Sequence, residues 1–475
     1  MSDLVNGDHM TPAEFRELGH AYVDWVASYW EQVADLPVQT SVEPGATASS
    51  LPVAPPADGE DLTAVLADLD ELVVPALTHW QHPSFFAFFP ANTSGPGVLA
   101  DIVSSGLGVN GMNWSTSPAC TEVEMVMLDW FVELLGLPAH FRHADDGPGG
   151  GVLQDSASSS TLCTILAARN RVTPGGDLSK LRAYASDQAH SSIVKGARVA
   201  GLADDQVRAI PTDGAFAMDP AALAEAIDAD RRAGLVPFWC CATVGSTSSM
   251  AVDPVPEVAR ICREADVWCH VDAAMAGSAA VCEELRWVTD GADAVDSWSF
   301  NPHKWLFTTF DCSCLWLADA RPLVDALSIT PAYLRNEQSD AGAVVDFRDW
   351  QVPLGRRFRA LKPWLVMRHY GTEGLARHVR EHVRLGRLLA DRVLDDDRFE
   401  FAAPPALNLV CVRCTGDDAD SRTTALLESV NASGEALLTP TVLDGRPAIR
   451  LCVGQTWTTE SHVDALWELL VAHAG

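Results

Sequence analysis

Apolar residues recur along this chain with two different periods, and the switches between them divide it into segments. Near the start, Phe15, Leu18, Tyr22, Trp25, Val26 and Tyr29 repeat at helical spacing. Ahead of them, Thr11-Pro12-Ala13-Glu14 is a capping box with proline at the first helical position, so a helix begins there. The stripe is wide and aromatic, more than a lone helix can hide on itself. It needs a surface, either on its own domain or on a second subunit. Leu36 to Asp61 breaks the pattern with Pro37, Pro44, Pro52, Pro55 and Pro56 among Ser, Thr and Ala, the composition of an extended linker. A helical stretch returns over Leu62 to Leu77.

From about Phe85 to Lys362, short apolar runs alternate with helical segments, the signature of βα units and a mostly parallel sheet. The clearest strands are Arg182 to Ser186, Val236 to Thr243 and Val267 to Val271. The clearest helices are Thr161 to Asn170, Pro220 to Arg232 and Val255 to Glu264. The end of the chain differs. A helix over Gly374 to Leu394 precedes a strand at Leu407 to Cys414 and a helix near Ser421 to Ser433. A hairpin turning at Asp444-Gly445 and a last helix from Thr459 to Ala472 follow. The expected organisation is an N-terminal helical segment over 1–84, a large α/β domain over 85–364 and a small α+β domain over 365–475.

Composition narrows the function without touching the fold. Of 475 residues, 33 are Lys or Arg and 64 are Asp or Glu, a formal charge of −31. That acidity argues against nucleic acid and anionic membranes as partners. Met1 to Met10 is polar and acidic, unlike a secretory signal. The longest apolar runs, such as Leu235 to Val244, are far below a membrane span. A cytoplasmic protein is expected. The 12 cysteines sit mostly inside apolar runs and read as reduced core residues. Cys411 and Cys414 form a CxxC only formally. In a strand, residues three apart face opposite sides, and no second pair offers the other half of a zinc site, so no metal is expected.

The chemistry gathers after the apolar runs. Asn301-Pro302-His303-Lys304 closes one of them, and Lys304 stands between a histidine and a tryptophan. A lysine held partly out of water there loses basicity and becomes an amine nucleophile. Trp268-Cys269-His270-Val271-Asp272 delivers a carboxylate one strand-helix-strand unit earlier. An amine able to carry an aldehyde, with a carboxylate able to keep a pyridine nitrogen protonated, matches pyridoxal 5′-phosphate. Gly149-Gly150-Gly151 leads through a short apolar run to Ser156, Ser158 and Ser159 at a helix start, either a phosphate cradle or simple caps. His190 and Thr247 each lie just past a strand, where a ligand lies in an open α/β sheet, although a surface role suits His190 equally.

Taken together, these segments resemble the group II pyridoxal-phosphate-dependent decarboxylases of the aromatic-L-amino-acid decarboxylase type. The carriers are His82-Pro-Ser-Phe-Phe-Ala-Phe-Phe-Pro, Ser117-Pro-Ala-Cys-Thr-Glu, Ser186-Asp-Gln-Ala-His-Ser-Ser, His270-Val-Asp-Ala-Ala, Phe300-Asn-Pro-His-Lys-Trp and Pro353-Leu-Gly-Arg-Arg-Phe-Arg-Ala-Leu-Lys. The resemblance runs from about Thr11 to the C-terminus. It implies the aspartate-aminotransferase-like fold type I and a homodimer in which the N-terminal helices lie across the partner. It implies that Lys304 carries the cofactor, Asp272 pairs with the pyridine nitrogen and His190 stacks on the ring. Ala157, Ser158, Asn301 and His303 would hold the phosphate side. Thr247 would lie near the ring hydroxyl or the substrate carboxylate, and Ala274 would pack on the ring. Tyr333 would protonate the carbanion once CO₂ has left. The substrate side would use Trp80, Phe88, Phe89, Pro90, Ala91 and Met112 with His190, and Leu354 and Gly355 across the interface. Animal members carry tyrosine, threonine, isoleucine and phenylalanine where this chain has Phe88, Ala91, Asn110 and Met112, and a tyrosine in place of Met275. The implied activity is decarboxylation of an aromatic L-amino acid to its arylalkylamine. The alternative is an aromatic aldehyde synthase on the same fold.

Overall fold

The computed structural model describes residues 9–143, 147–329 and 344–474. The helix foreseen at the start spans Pro12–Gln32, with Thr11 and Glu14 exchanging both capping-box hydrogen bonds. It buries none of its residues. Its aromatic stripe is only tacked down, by Tyr22 to the carbonyl of Leu62, Trp25 to Asp70 and Tyr29 to His79. The linker holds one short helix, Ala46–Ser50. The next helical stretch is not continuous: Leu62–Asp68 passes into a π turn over Leu69–Val73 and a 3₁₀ turn over Val74–Ala76, where Pro75 has no amide hydrogen to continue the ladder.

Seven strands form the large sheet: β1 (Gly150–Gln154), β2 (Leu181–Ser186), β3 (Val207–Ile210), β4 (Val236–Thr243), β5 (Trp268–Asp272), β6 (Ser297–Phe300) and β7 (Ser313–Leu317). Their order is β1-β7-β6-β5-β4-β2-β3. Only β7 is reversed, antiparallel to both β1 and β6. The other six therefore point the same way, and β1, β2, β4, β5 and β6 all end at one edge. Within β4, Trp239 and Cys241 face one buried cluster while Cys240 and Ala242 face the other. Alternation with apolar contact on both sides explains why these strands read as unbroken apolar runs. Trp239, Trp298 and Trp316 are fully buried in the sheet.

The smaller sheet runs β10-β11-β9-β8 with β8 (Phe399–Phe401), β9 (Leu409–Cys414), β10 (Thr439–Leu443) and β11 (Arg446–Cys452), all antiparallel. The foreseen turn at Asp444-Gly445 closes β10 onto β11, with φ of 50° and 73° at its two residues. Cys411 belongs to the core shared with the large sheet and Cys414 to the core of the small one, so the two thiols face apart. The helix expected from Gly374 begins earlier. It spans Leu361–Leu394 and is interrupted at Gly371, whose φ of 65° breaks the ladder.

Arg356 ties the two parts of the large unit together. It meets Glu124 at 2.5 Å and Gln351 at 2.6 Å, and Glu124 also accepts the amide of Leu153 in β1 at 2.8 Å. Both charges of the pair are almost wholly buried. Removing one partner leaves the other charged in a dry site, which costs about 3–5 kcal/mol. Glu124→Ala should therefore lower the free energy of unfolding measured in urea by that amount. A loss below about 1 kcal/mol would show that water reaches Arg356.

Candidate active site

The strand ends that share one edge of the large sheet enclose a cavity of about 230 Å³. Each wall comes from the loop just past a strand. After β1, Ser156 caps the helix Ala157–Val172 through the amide of Ser159. After β2 comes His190, and at the end of β4 come Thr243, Gly245 and Thr247. Asp272 is the last residue of β5, and Ala274 follows it. After β6, the chain turns through Asn301 into the one-turn helix Pro302–Trp305, which holds His303 and Lys304. Phe89 and Phe310 complete the lining. Gly245 has a φ of 85°, and a Cβ there would lie 2.6 Å from that of Ala276, so only glycine allows this turn.

The electrostatics are those of a dry pocket holding opposed charges. The Lys304 amine is enclosed and lies 5.1 Å from the centre of the Phe89 ring. Loss of water pushes its pKa down; the Asp272 carboxylate opposes that, and the guanidinium of Arg450 reinforces it. Asp272 is buried, and one of its oxygens accepts the amide of Ala274 at 3.0 Å. His303 accepts the Cys312 amide on Nδ1 at 2.9 Å, and burial lowers its pKa to about 3. His190 sits at the mouth, where desolvation by surrounding atoms also lowers its pKa; Asp272 opposes and Lys304 adds to the shift. Its Nδ1 accepts the Ser192 amide at 3.2 Å.

All nine residues expected around the cofactor, Ala157, Ser158, His190, Thr247, Asp272, Ala274, Asn301, His303 and Lys304, line this cavity. The donor set suits pyridoxal 5′-phosphate. An amine faces a carboxylate across the pocket, and a helix of 16 residues opens onto it with free amides and hydroxyls. Asn301 Oδ1 is buried at this cavity without a partner among the described residues, a polar atom that a ligand can satisfy.

The substrate-side residues are not gathered in the same way. Phe89 and His190 line the cavity. Trp80 and Phe88 stack on each other with centres 5.6 Å apart and stay 37% and 48% exposed. Phe88 holds a φ of 54°, a strained value for a bulky residue, and its amide is pinned to Thr439 Oγ1 at 2.6 Å. Pro90 is buried, and the Ala91 carbonyl accepts from Gln81 at 2.6 Å. Leu354 and Gly355 are exposed on a separate edge; the neighbouring Arg356 amide bonds to Asn110 at 2.9 Å, and the carbonyl of Met112 accepts from Arg348 at 2.9 Å. Tyr333 lies outside the described residues.

Arg450 was not foreseen. It is 2% exposed, lies 5.1 Å from the Phe89 ring, and its Nε and Nη2 have no partner among the described residues. Its signal is legible in retrospect. A cation inside the apolar run Ile449-Arg450-Leu451-Cys452 is out of place in an ordinary core strand. Asp253 was missed too. It caps the back of the site, accepting the amides of Met218 and Thr243 at 2.7 Å each, and burial raises its pKa to about 6.

Comparison with known proteins agrees with this geometry. The family model described as the pyridoxal-dependent decarboxylase conserved domain matches residues 44–415. Tryptophan decarboxylase 2 of Oryza sativa subsp. japonica is 42% identical over 97% of this chain and 94% of its own length. Phenylacetaldehyde synthase of Arabidopsis thaliana is also 42% identical, over 98% of this chain and 96% of its own. The crystal structure of Oryza sativa TDC with PLP and tryptamine superposes with a TM-score of 0.96 at 41% identity, covering 99% of each chain. An amine and a carboxylate brought to one edge of a parallel sheet, and a family match over most of the chain, lead to one conclusion: this protein belongs to the pyridoxal-dependent decarboxylase family.

Proposed function

We propose that this enzyme removes the carboxyl group of an aromatic L-amino acid as CO₂ and releases the arylalkylamine. The observation that carries this reading is the pairing of a desolvated Lys304 with Asp272 in a cavity to which Phe89 and Phe310 add aromatic surface. Pyridoxal 5′-phosphate, when bound, supplies an aldehyde that links to amines and a protonated pyridine ring that takes up the electron pair left at Cα. Lys304 holds the cofactor and, freed from it, moves protons to and from the amino nitrogen. Its lowered pKa keeps a larger share of it as free base near neutrality. The Asp272 carboxylate keeps a proton on the pyridine nitrogen. Ala157, Ser158, Asn301 and His303 hold the phosphate side, Ala274 packs on the ring, and Thr247 and His190 line the side the substrate enters.

Arg450 supports an anionic α-carboxylate at this site. A buried guanidinium whose Nε and Nη2 have no partner among the described residues leaves positive potential beside the cavity, and a substrate carboxylate relieves it. On the ring side, Trp80, Phe88 and Pro90 offer apolar surface, and with Arg450 engaged by the α-carboxylate an acidic side chain would be desolvated without a partner. Tyr333 returns the proton to Cα. The second reading, an aromatic aldehyde synthase, is favoured by the phenylacetaldehyde synthase relative, as similar to this chain as the tryptophan decarboxylase is.

The enzyme works as a homodimer. Leu99, Ile102, Val103 and Leu107 leave an apolar face on the helix Gly95–Leu107 between 43% and 56% exposed, and Phe15 is 61% exposed on a helix with no buried residue. The N-terminal segment 1–84 packs on the partner, and Leu354 and Gly355 complete the substrate side of the other protomer. Among the described residues no helix is long and apolar enough to cross a membrane. With buried free cysteines and strong negative charge, a cytoplasmic location fits.

The deciding experiment incubates the loaded enzyme with tryptophan, phenylalanine, tyrosine, Dopa and glutamate, and measures amine, CO₂, aldehyde and oxygen uptake. Aromatic acids should yield amine and CO₂ in equal amounts with no oxygen consumed. Stoichiometric oxygen uptake would install the aldehyde-synthase reading, and faster turnover of glutamate would refute the substrate class. Tyr333→Phe should keep CO₂ release while diverting much of the amine to aldehyde, ammonia and peroxide. Tyr333→Phe making amine at the full rate would remove Tyr333 from the mechanism.

Acid should loosen the site. His303 has a pKa of about 3 in the folded chain against about 6.5 unfolded, so its stabilising contribution is complete above about pH 6.5 and is lost as pH falls towards 3. His270, buried with a pKa of about 4, acts in the same direction. The thermal midpoint should fall as pH drops below about 6.5, and His303→Gln should flatten part of that slope. An unchanged slope in His303→Gln would show that other groups carry it.

A further inference from the structure

The turn that carries Lys304 is held from behind by a histidine with no part in the chemistry above. Trp305, the next residue, is fully buried, and its indole Nε1–H donates to Nδ1 of His382 at 2.9 Å. With Nδ1 accepting, the imidazole proton belongs on Nε2, and that N–H donates to the backbone carbonyl of Gln455. His382 is 1% exposed in the helix Leu361–Leu394, beyond its break at Gly371.

His382 therefore touches two segments that reach the cavity from different sheets. One is the one-turn helix Pro302–Trp305 after β6. The other is the segment leaving β11, the strand of Arg450. That segment is in turn tied to the chain just past Phe89 and Pro90: Asn92 Nδ2 donates to the Gly454 carbonyl at 2.9 Å, and Thr456 Oγ1 to the Thr93 carbonyl at 2.9 Å. A single helical turn has little stability of its own, so outside contacts decide where its side chains point.

The surroundings keep this imidazole neutral. His378 lies with its ring centre 4.2 Å away, and its own Nε2 is buried without a partner among the described residues. Phe307 packs 3.9 Å from His378, and Tyr370 lies 4.3 Å from Phe307. The nearest carboxylate, Glu381, is turned outward onto Arg384. Burial lowers His382 to about 4 and also pushes His378 well below the usual imidazole range. A neutral Nδ1 is the one form that can accept the indole N–H.

We propose that His382 is a positioning residue for Lys304: it pins Trp305, and with it the turn that aims the amine into the cavity, against the backbone of Gln455. This rests on the reading of Lys304 as the lysine that holds the cofactor. The test uses full-length enzyme loaded with pyridoxal 5′-phosphate. His382→Leu fills the space without an acceptor, His382→Asn keeps an oxygen near the place of Nδ1, and Trp305→Phe removes the donor. Two quantities are read: the dissociation constant of the cofactor, and the pH midpoint of the colour change of the lysine-bound cofactor. His382→Leu should weaken cofactor binding about tenfold and shift the midpoint, as expected for one buried hydrogen bond. Trp305→Phe should do the same, the double variant should be no worse than either single, and His382→Asn should recover most of the loss. Wild-type affinity and midpoint in His382→Leu, or additive losses in the double variant, would overturn the proposal. Should His382→Leu fail to fold, Trp305→Phe decides alone: an unchanged midpoint there overturns it. Borohydride fixation of the cofactor to the Lys304 peptide checks the underlying reading separately. Label on another lysine would sink that assignment whatever the His382 variants do.

Discussion

Everything at the site depends on holding one amine out of water without neutralising it. Removing Lys304 from solvent disfavours its charged form, while the Asp272 carboxylate favours it. Desolvation is the larger influence, and Arg450 adds to it, so the amine stays below its usual range. That balance needs a carboxylate near enough to be felt and too far to form a tight pair. Two adjacent parallel strands meet this need. β5 ends in Asp272, and β6 runs on into the turn of Lys304, so the spacing of strands sets the spacing of charges.

The buried arginines show how the molecule separates scaffold from site. Arg356 is as buried as Arg450, but it has Glu124, Gln351 and the Leu153 carbonyl around its guanidinium, together with the Phe347 face at 4.9 Å. Its charge is satisfied inside the chain and serves to join segments. Arg450 has an aromatic face and two nitrogens without partners among the described residues. A buried cation left open is costly unless something arrives to complete it. The same contrast separates Glu124, whose Oε1 accepts from both Arg356 and the Leu153 amide, from Asp272, for whose side chain the described residues supply a single amide on one oxygen.

One chain closes the cofactor side and leaves the substrate side in pieces. Phe89 stands at the cavity, while the Trp80–Phe88 stack and the Leu354–Gly355 edge face outward. The strained backbone of Phe88 and the apolar face of the helix Gly95–Leu107 lie on this unfinished side. Such features suit the homodimer proposed above, in which a second copy would cover them.

Much of this was legible before any coordinates. The two-sided burial of a parallel sheet writes continuous apolar runs, and chemistry follows those runs because strand ends at one edge are the place where side chains of distant segments converge. Lys304, Asp272, His190 and Thr247 were found in that way, and the capping box and the Asp444-Gly445 turn by local hydrogen-bonding rules. The CxxC of Cys411 and Cys414 was dismissed by strand periodicity and by the lack of a second ligand pair in the sequence. What stayed hidden depends on contacts between segments far apart in the chain. Arg450 lies 146 positions beyond Lys304 and meets it only because β11 folds back over Phe89. The helical turns before Gly371 were missed because only the stretch from Gly374 read as a helix, and the π turn at Leu69–Val73 was invisible because a helical pattern continues through it. The sequence by itself determined the kind of sheet, the residues at its ends and the local caps and turns, because these follow from periodicity and short-range hydrogen bonds. Only the tertiary structure decided which charges are paired, which are left open and how far each is from water, because desolvation is a property of everything packed around a group.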